Sequence, residues 1–340
     1  MKTGAPDLRG AHILIVGAGV FGSAIALELR RAGASIQLIE ARLPPDNASS
    51  IAAGMLAPAF EAALDPQGAS FALLRAARDL WPDFIEGLGP TGFERCGARM
   101  EAPGETLARL ASAFSQFGAA FESASGGIFT PEDWRLDPAL ALRAMMAEAL
   151  GTDRVPIISR VIGADLQSVT LENGQFLEAD AVVLACGYGG LDLAPELSAL
   201  IPIKGQIVRF PGASFFGGPI LRSESGYLVP GWGGALTGTT MQTGRSDRVI
   251  DPDVTARLVA QAIALAPVLA GVETQASAAV RPATSDGLPM IGQSQSGVWL
   301  ATGARRNGWL LAPMAARLIA GGLTGQAGDG RFAPSRFQPL

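Results

Sequence analysis

Short apolar runs separated by glycine turns set the rhythm of both ends of the chain. Residues 11–16 (AHILIV) predict a buried strand, SAIALELRRAG behind them has helical spacing and stops at Gly33, and SIQLIE predicts a second strand ending on Glu40. ADAVVLACGYGG (179–190) is another apolar strand with a small-residue tip, and GVWLATGARRNGWLLAPMAARLIAG (297–321) again runs strand, glycine turn, helix. The middle reads differently. IKGQIVRF (203–210), GYLVPGW (226–232), GALTGTTM (234–241) and ASAAVRP (276–282) are strand candidates divided by Gly- and Pro-rich turns, which suggests an antiparallel sheet. Asp137-Pro138 and Asp251-Pro252 each read as an N-cap with Pro at N1, opening the helices ALALRAMMAEAL and DVTARLVAQAIALAPVLAG. The expected fold class is α/β: a discontinuous Rossmann-like domain over about 1–75, 137–200 and 283–340, and a second domain over 76–136 and 201–282 built on a mainly antiparallel sheet.

The turn after the first strand carries chemistry. Gly17, Gly19 and Gly22 stand in the spacing G-x-G-x-x-G between strand and helix. The first permits a tight turn, the second lets a pyrophosphate approach the backbone, and the third lets helix and strand pack closely. The helix N-terminus adds unpaired N–H groups and a positive dipole end. Glu40, 18 residues past Gly22, can accept hydrogen bonds from both ribose hydroxyls of an ADP moiety and would repel a 2′-phosphate. An ADP-containing cofactor other than NADP is expected.

That fingerprint does not choose between NAD and FAD. In SSIAAGMLAP (49–58), Ser49 and Ser50 could cap a short helix, and Ala52, Ala53 and Gly54 would give a flat ring close access to backbone; an ordinary Ala-rich helix start has the same composition. The strand tip Ala185-Cys186-Gly187 could sit against a cofactor or lie in the core. In the turn 303–308, N–H groups at a helix N-terminus could stabilise negative charge on a reduced flavin.

GAGVFGSAIALELRRAG with Glu40, SSIAAGMLAP, GYLVP, VRPATSDGLPMIG and ATGARRNGWLLAP occur in the order found in one family. From residue 12 to about 320 the chain resembles the D-amino-acid oxidase family of FAD-dependent amine oxidases, most of all its glycine oxidase branch, which serves thiamine biosynthesis. The resemblance implies noncovalent FAD, a small amino-acid substrate, O2 as electron acceptor with H2O2 as product, and a homo-oligomer such as a tetramer. It implies cofactor contacts at Gly17, Gly19, Val20, Phe21, Gly22, Glu40, Ala41, Ala48, Ser49, Ser50, Ala53, Gly54, Met55, Val161, Ala185 and Gly187. In the C-terminal turn it implies Gly303, Ala304, Arg305, Arg306, Asn307, Gly308, Trp309 and Leu310.

The substrate residues follow from the same matches. Arg281 in the RP element can clamp a carboxylate by two parallel hydrogen bonds, where the alternative is a strand-end ion pair. Tyr227 matches a tyrosine of that carboxylate pocket, Met241 a methionine that narrows it, and Arg306 an arginine whose carbonyl lies near the substrate amine. Many members carry bulkier residues where this chain has Ala304 and Arg305, which bears on pocket size. No catalytic base is evident near the motifs. A D-amino-acid dehydrogenase passing electrons to a quinone is the nearest alternative function; a tRNA-modifying oxidase module and a flavin-binding protein without turnover are more distant ones.

Composition prunes the rest. A net charge of −5 offers no basic field for RNA or DNA. Cys96 and Cys186 lack CxxC spacing and His12 is the sole histidine, so a disulfide framework, a metal site and a His-based triad are disfavoured. Neither cysteine is close in sequence to the C-terminal flavin loop. The stretch AQAIALAPVLAGV (260–272) is proline-broken and shorter than the roughly 20 residues of a membrane span. MKTGAPDLRG has no apolar signal-peptide core, so no integral membrane association and a cytoplasmic location are expected.

Overall fold

The strand His12–Val16 lies inside a six-stranded sheet of the computed structural model, which describes residues 7–42, 47–65, 68–124, 126–151, 155–213, 217–231 and 233–337. It pairs in parallel with Ser35–Glu40 on one side and Ala181–Leu184 on the other. Ile157–Ile158 and Trp299–Thr302 extend the sheet in parallel, and Met290–Gln293 closes one edge antiparallel. The helix Val20–Arg31 packs on Gly308–Leu323 and Pro138–Leu150. Alanines 24, 26, 312, 315 and 316 are fully buried there, and their small side chains allow close approach of the helices.

The second sheet has nine strands among the described residues. Its long strand Ile201–Pro211 pairs antiparallel with both Gly234–Gly238 and Gln275–Ala283. Gly226–Gly231 and Ile220–Ser223 follow, and beyond them Ala98–Glu101 joins in parallel with Ile220–Ser223. One face packs on helix Pro252–Leu265, the other on helices Pro58–Leu64 and Gly104–Phe117. The expected combination of a Rossmann-like sheet and a mainly antiparallel one is the observed architecture.

Three local expectations change. The helix anticipated over 253–271 ends at Leu265, because Pro267 cannot continue it; a 3-10 turn, Pro267–Leu269, follows. The cap of the short helix Ala48–Ile51 is Asn47, whose side chain accepts from the backbone N–H groups of Ser49 and Ser50. Ser49 is freed for another task, since its Oγ accepts from Val20 N at 3.0 Å. A three-stranded sheet, Val161–Ala164, Ser168–Leu171 and Phe176–Glu178, was not anticipated; Ile162 and Phe176 are exposed, so its strands lack clean alternation. Trp232 and residues 1–6 of the N-terminal reading lie outside the described residues.

Candidate active site

A cavity of about 650 Å³, within the usual range for small-molecule sites, opens at the carboxyl ends of the parallel strands. Its floor is the first turn. Gly17 has φ +104°, and a Cβ there would lie 2.5 Å from the Ala185 carbonyl oxygen; one on Gly22 would lie 1.8 Å from the Gly17 oxygen. Those two glycines are demanded by the protein's own packing. Gly19 is different: an added Cβ would meet only Ser49 Oγ, at 3.2 Å, so its bareness clears the cavity itself. The N-cap residue, Gly19, has no side chain to fold over the helix end, and Ser49 Oγ takes only Val20 N, so the helix dipole stays directed at whatever fills the space. Glu40 reaches the same cavity, held by Ala18 N and Ala41 N at 2.8 Å each. Each carboxylate oxygen keeps a further lone pair for a hydroxyl donor.

Seventeen of the anticipated cofactor positions line this cavity: Gly17, Gly19, Val20, Phe21, Glu40, Ala41, Ala48, Ser49, Val161, Ala185, Gly187, Gly303, Ala304, Arg305, Arg306, Gly308 and Trp309. Ala53, Gly54, Met55 and Asn307 line a smaller adjoining pocket, which shares Ala48, Ala52, Arg281, Arg306 and Trp309 with the large one. Gly22, Ser50 and Leu310 line neither; Gly22 packs on Gly17, and the Leu310 carbonyl accepts from Trp81 Nε1. Unanticipated liners include Arg42, Ser159, Arg160, Glu172 and Arg248, which no glycine motif marks. Cys186 also lines the cavity, beside the C-terminal turn in space though not in sequence, because strand 181–184 runs next to 299–302. Burial pushes its thiol up to about 12, so the nucleophilic thiolate is scarce.

The smaller pocket, about 70 Å³, lies against the nine-stranded sheet. Arg281 enters from strand 275–283, with Nη2 donating to Thr239 Oγ1 at 2.7 Å and Nη1 to the Thr240 carbonyl at 3.2 Å. Its guanidinium lies flat on the neighbouring strand only because residue 205 is glycine, where a Cβ would sit 2.0 Å from Nη1. Burial lowers the Arg281 pKa, yet a guanidinium stays charged in a protein. Tyr227 is buried, and its hydroxyl lies over Gly238. Burial raises its pKa, against the pull of Arg281 and Arg306, so it presents a neutral O–H. Met241 does not line the pocket but touches Arg281, Sδ to Nη1 at 3.7 Å.

Arg306 reaches the pocket through its side chain, paired with Glu61 at 3.1 Å. Glu61 was missed: it lies five residues past the end of the AAGML motif, on helix 58–64, and no local pattern marks it. Burial opposes its charge, but Arg306 and Arg222 overcome that and hold its carboxyl below the ordinary range. Arg305, at φ +51°, turns its side chain away to pair with Asp65. Arg209 ties the two halves by donating to the Ile51 carbonyl at 3.0 Å.

Two sheets meeting at a dinucleotide cavity, with a small arginine-floored pocket beside it, define a nucleotide-cofactor oxidoreductase. The chain belongs to the FAD dependent oxidoreductase family, whose model matches residues 12–321. It is 26% identical to a glycine oxidase of Pseudomonas aeruginosa over 93% of this chain and 95% of that one. To the bifunctional protein ThiO/ThiG of Trichormus variabilis it is 31% identical, spanning 96% of this chain and 55% of that protein. In fold it is similar to glycine oxidase from Geobacillus kaustophilus (TM-score 0.80, 23% identity, 97% and 99% of the two chains). It is also similar to iminodiacetate oxidase from Chelativorans sp. BNC1 (TM-score 0.82, 22% identity, 95% and 98%).

The protein is thus an FAD-dependent enzyme, and its residues fit the cofactor. The bare Gly19, the helix N-terminus behind it and the anchored Glu40 suit an ADP half; the glycine-lined C-terminal turn and Ala52–Gly54 leave backbone accessible for a flat ring.

Proposed function

We infer that the enzyme oxidises glycine or another small primary or secondary amino acid to an imine, which hydrolyses to an oxoacid and ammonia. The observation that carries this reading is Arg281, laid against Gly205 in a pocket of about 70 Å³ that opens onto the cofactor cavity. Arg281 offers its guanidinium edge to a carboxylate, and the Tyr227 hydroxyl can add a hydrogen bond. Together they would fix both ends of the carboxylate and so the direction of the Cα–H bond. When bound, FAD supplies a two-electron acceptor for that hydride and a route to O2, giving H2O2. Positioning is the protein's main contribution, since two charge-assisted bonds convert an encounter into an oriented complex. The wall of Ala52, Ala53, Met55 and Ile207 limits the side chain and excludes water from the reacting face.

Glu61 is a poor proton acceptor beside two arginines, so the amine would shed its proton on entering this cationic pocket. Noncovalent retention of FAD suits a Cys186 thiol whose pKa is raised. The names of the relatives support a role in supplying thiamine thiazole biosynthesis, and a homo-oligomer remains the expected assembly. Incubation with glycine in air should release oxoacid, ammonia and peroxide in equal amounts. Turnover that needs a quinone and yields no peroxide would establish the dehydrogenase reading in its place.

A further inference from the structure

Four guanidinium groups lie at or near the small pocket, and three of them are matched with a carboxylate. Glu61 pairs side-on with Arg306 and accepts from Arg222 Nη2 at 2.9 Å. Arg305 pairs with Asp65, which ends helix 58–64 one turn beyond Glu61. Arg281 alone of the four has no carboxylate partner among the described residues; its donors go to Thr239 and Thr240. Arg305 is close to that open arginine. It lines the dinucleotide cavity together with Arg281 and Arg306, and its main-chain N–H donates at 2.9 Å to the carbonyl of Pro282, the residue after Arg281. Removal from water is the main cause that lowers the Arg281 pKa, and Arg306 and Arg305 push the same way. Yet Arg305 does not line the small pocket, because its side chain is drawn to Asp65, where the two are only 21% and 10% exposed. An arginine stripped of its acid beside an unpaired guanidinium would be a second site for any carboxylate.

We propose that Asp65 is a positioning residue that withdraws Arg305 from the carboxylate site, so that Arg281 is the one unpaired guanidinium offered to the substrate. This rests on the amino-acid reading above. The consequence is a single binding mode. A carboxylate on Arg281 and Tyr227 fixes the direction of the Cα–H bond. One shared with a released Arg305 would be held as tightly in a different place, with the hydrogen off the line of transfer. Affinity would be kept and rate lost. The arrangement also accounts for two adjacent arginines in one turn. Arg305 and Arg306 each meet an acid of the same helix segment, Asp65 and Glu61, four residues apart and therefore on one face.

The test uses purified holoenzyme of wild type, Asp65→Asn and the double variant Asp65→Asn/Arg305→Asn, with glycine as substrate and acetate as a carboxylate that does not react. Asn is isosteric with Asp and tolerates the left-handed backbone of residue 305. Asp65→Asn should lower the limiting rate of flavin reduction by glycine about tenfold, while the acetate Kd, read from the flavin spectrum, stays the same or falls. Adding Arg305→Asn should recover about fivefold of that loss, because the competing cation is gone and its acid is no longer needed. An unchanged rate in Asp65→Asn, or a double variant no faster than Asp65→Asn, would overturn the proposal. So would an acetate Kd raised about tenfold in Asp65→Asn, the mark of a pair that merely holds the pocket together. If Asp65→Asn is not recovered as holoenzyme, Asp65→Glu decides in its place. It keeps the charge and should stay within about threefold of the wild-type rate, and a loss of about tenfold would overturn the proposal equally. A wild-type flavin that responds to neither glycine nor acetate would remove the amino-acid reading itself; normal wild-type responses with an unchanged rate in Asp65→Asn would remove only this inference.

Discussion

The two cavities are built by opposite means. The dinucleotide cavity is a backbone construction: bare glycines, a helix N-terminus, and one carboxylate anchored by main-chain N–H groups. The substrate pocket is a side-chain construction, in which Arg281, Tyr227, Glu61 and Arg306 converge from four separate segments. Backbone sites tolerate no added atom and fail outright, whereas side-chain sites should fail in graded steps.

The sharpest way to break that contrast is Gly22→Ala. A methyl 1.8 Å from the Gly17 oxygen forces strand and helix apart, a core overpacking worth about 3 kcal/mol or more. The variant should be recovered without flavin or not at all, as the ratio of 450 nm to 280 nm absorbance will reveal; a yellow, active variant would mean the turn is not rigid. Next is Arg281→Ala, which should keep its flavin. Losing two charge-assisted bonds of about 1.5–3 kcal/mol each predicts a fall in glycine kcat/KM of roughly 10²–10⁴. Unchanged kinetics would dismiss the clamp. Gly205→Ala sharpens the comparison, because it adds an atom behind the pocket rather than in the cofactor turn. Displacing the guanidinium should cost kcat/KM about tenfold, with the flavin spectrum unaltered.

The smallest effect concerns Asp133, fully buried beneath helix 58–64, where it accepts from Ala59 N at 2.8 Å and Phe60 N at 3.3 Å. Burial raises its carboxyl to about 7, outweighing Arg222 and the two backbone donors, while Glu61 pushes the same way as burial. A raised acid pKa means that the folded state binds the proton more tightly than the unfolded one. This contribution to stability is full below the ordinary value of 3.8 and is lost as pH rises toward about 7. Asp133→Asn should flatten Tm across that window; an identical slope in both proteins would show that Asp133 titrates normally.

Legibility in the sequence followed the same division. A backbone site is local, so G-A-G-V-F-G between a strand and a helix, with Glu40 at the next strand end, could be read in one pass. The second sheet was readable as antiparallel strands, and Arg281 and Tyr227 through their motifs. Gly205 was invisible as a functional position, because its importance arises from the pairing of strand 201–211 with 275–283. Glu61 and Arg222 lie 161 residues apart and meet only in the folded core. The sheet over 161–178 escaped because its exposed apolar residues blur the alternation that marks a strand.

The central claim is that an amino acid held on Arg281 delivers electrons to FAD in the adjoining cavity. It is tested most directly by mixing the purified enzyme anaerobically with glycine, then admitting air. The account predicts bleaching at 450 nm followed by rapid recovery with peroxide, and little bleaching at the same glycine concentration in Arg281→Ala. A wild-type flavin that stays oxidised with glycine, sarcosine and D-alanine alike would contradict it.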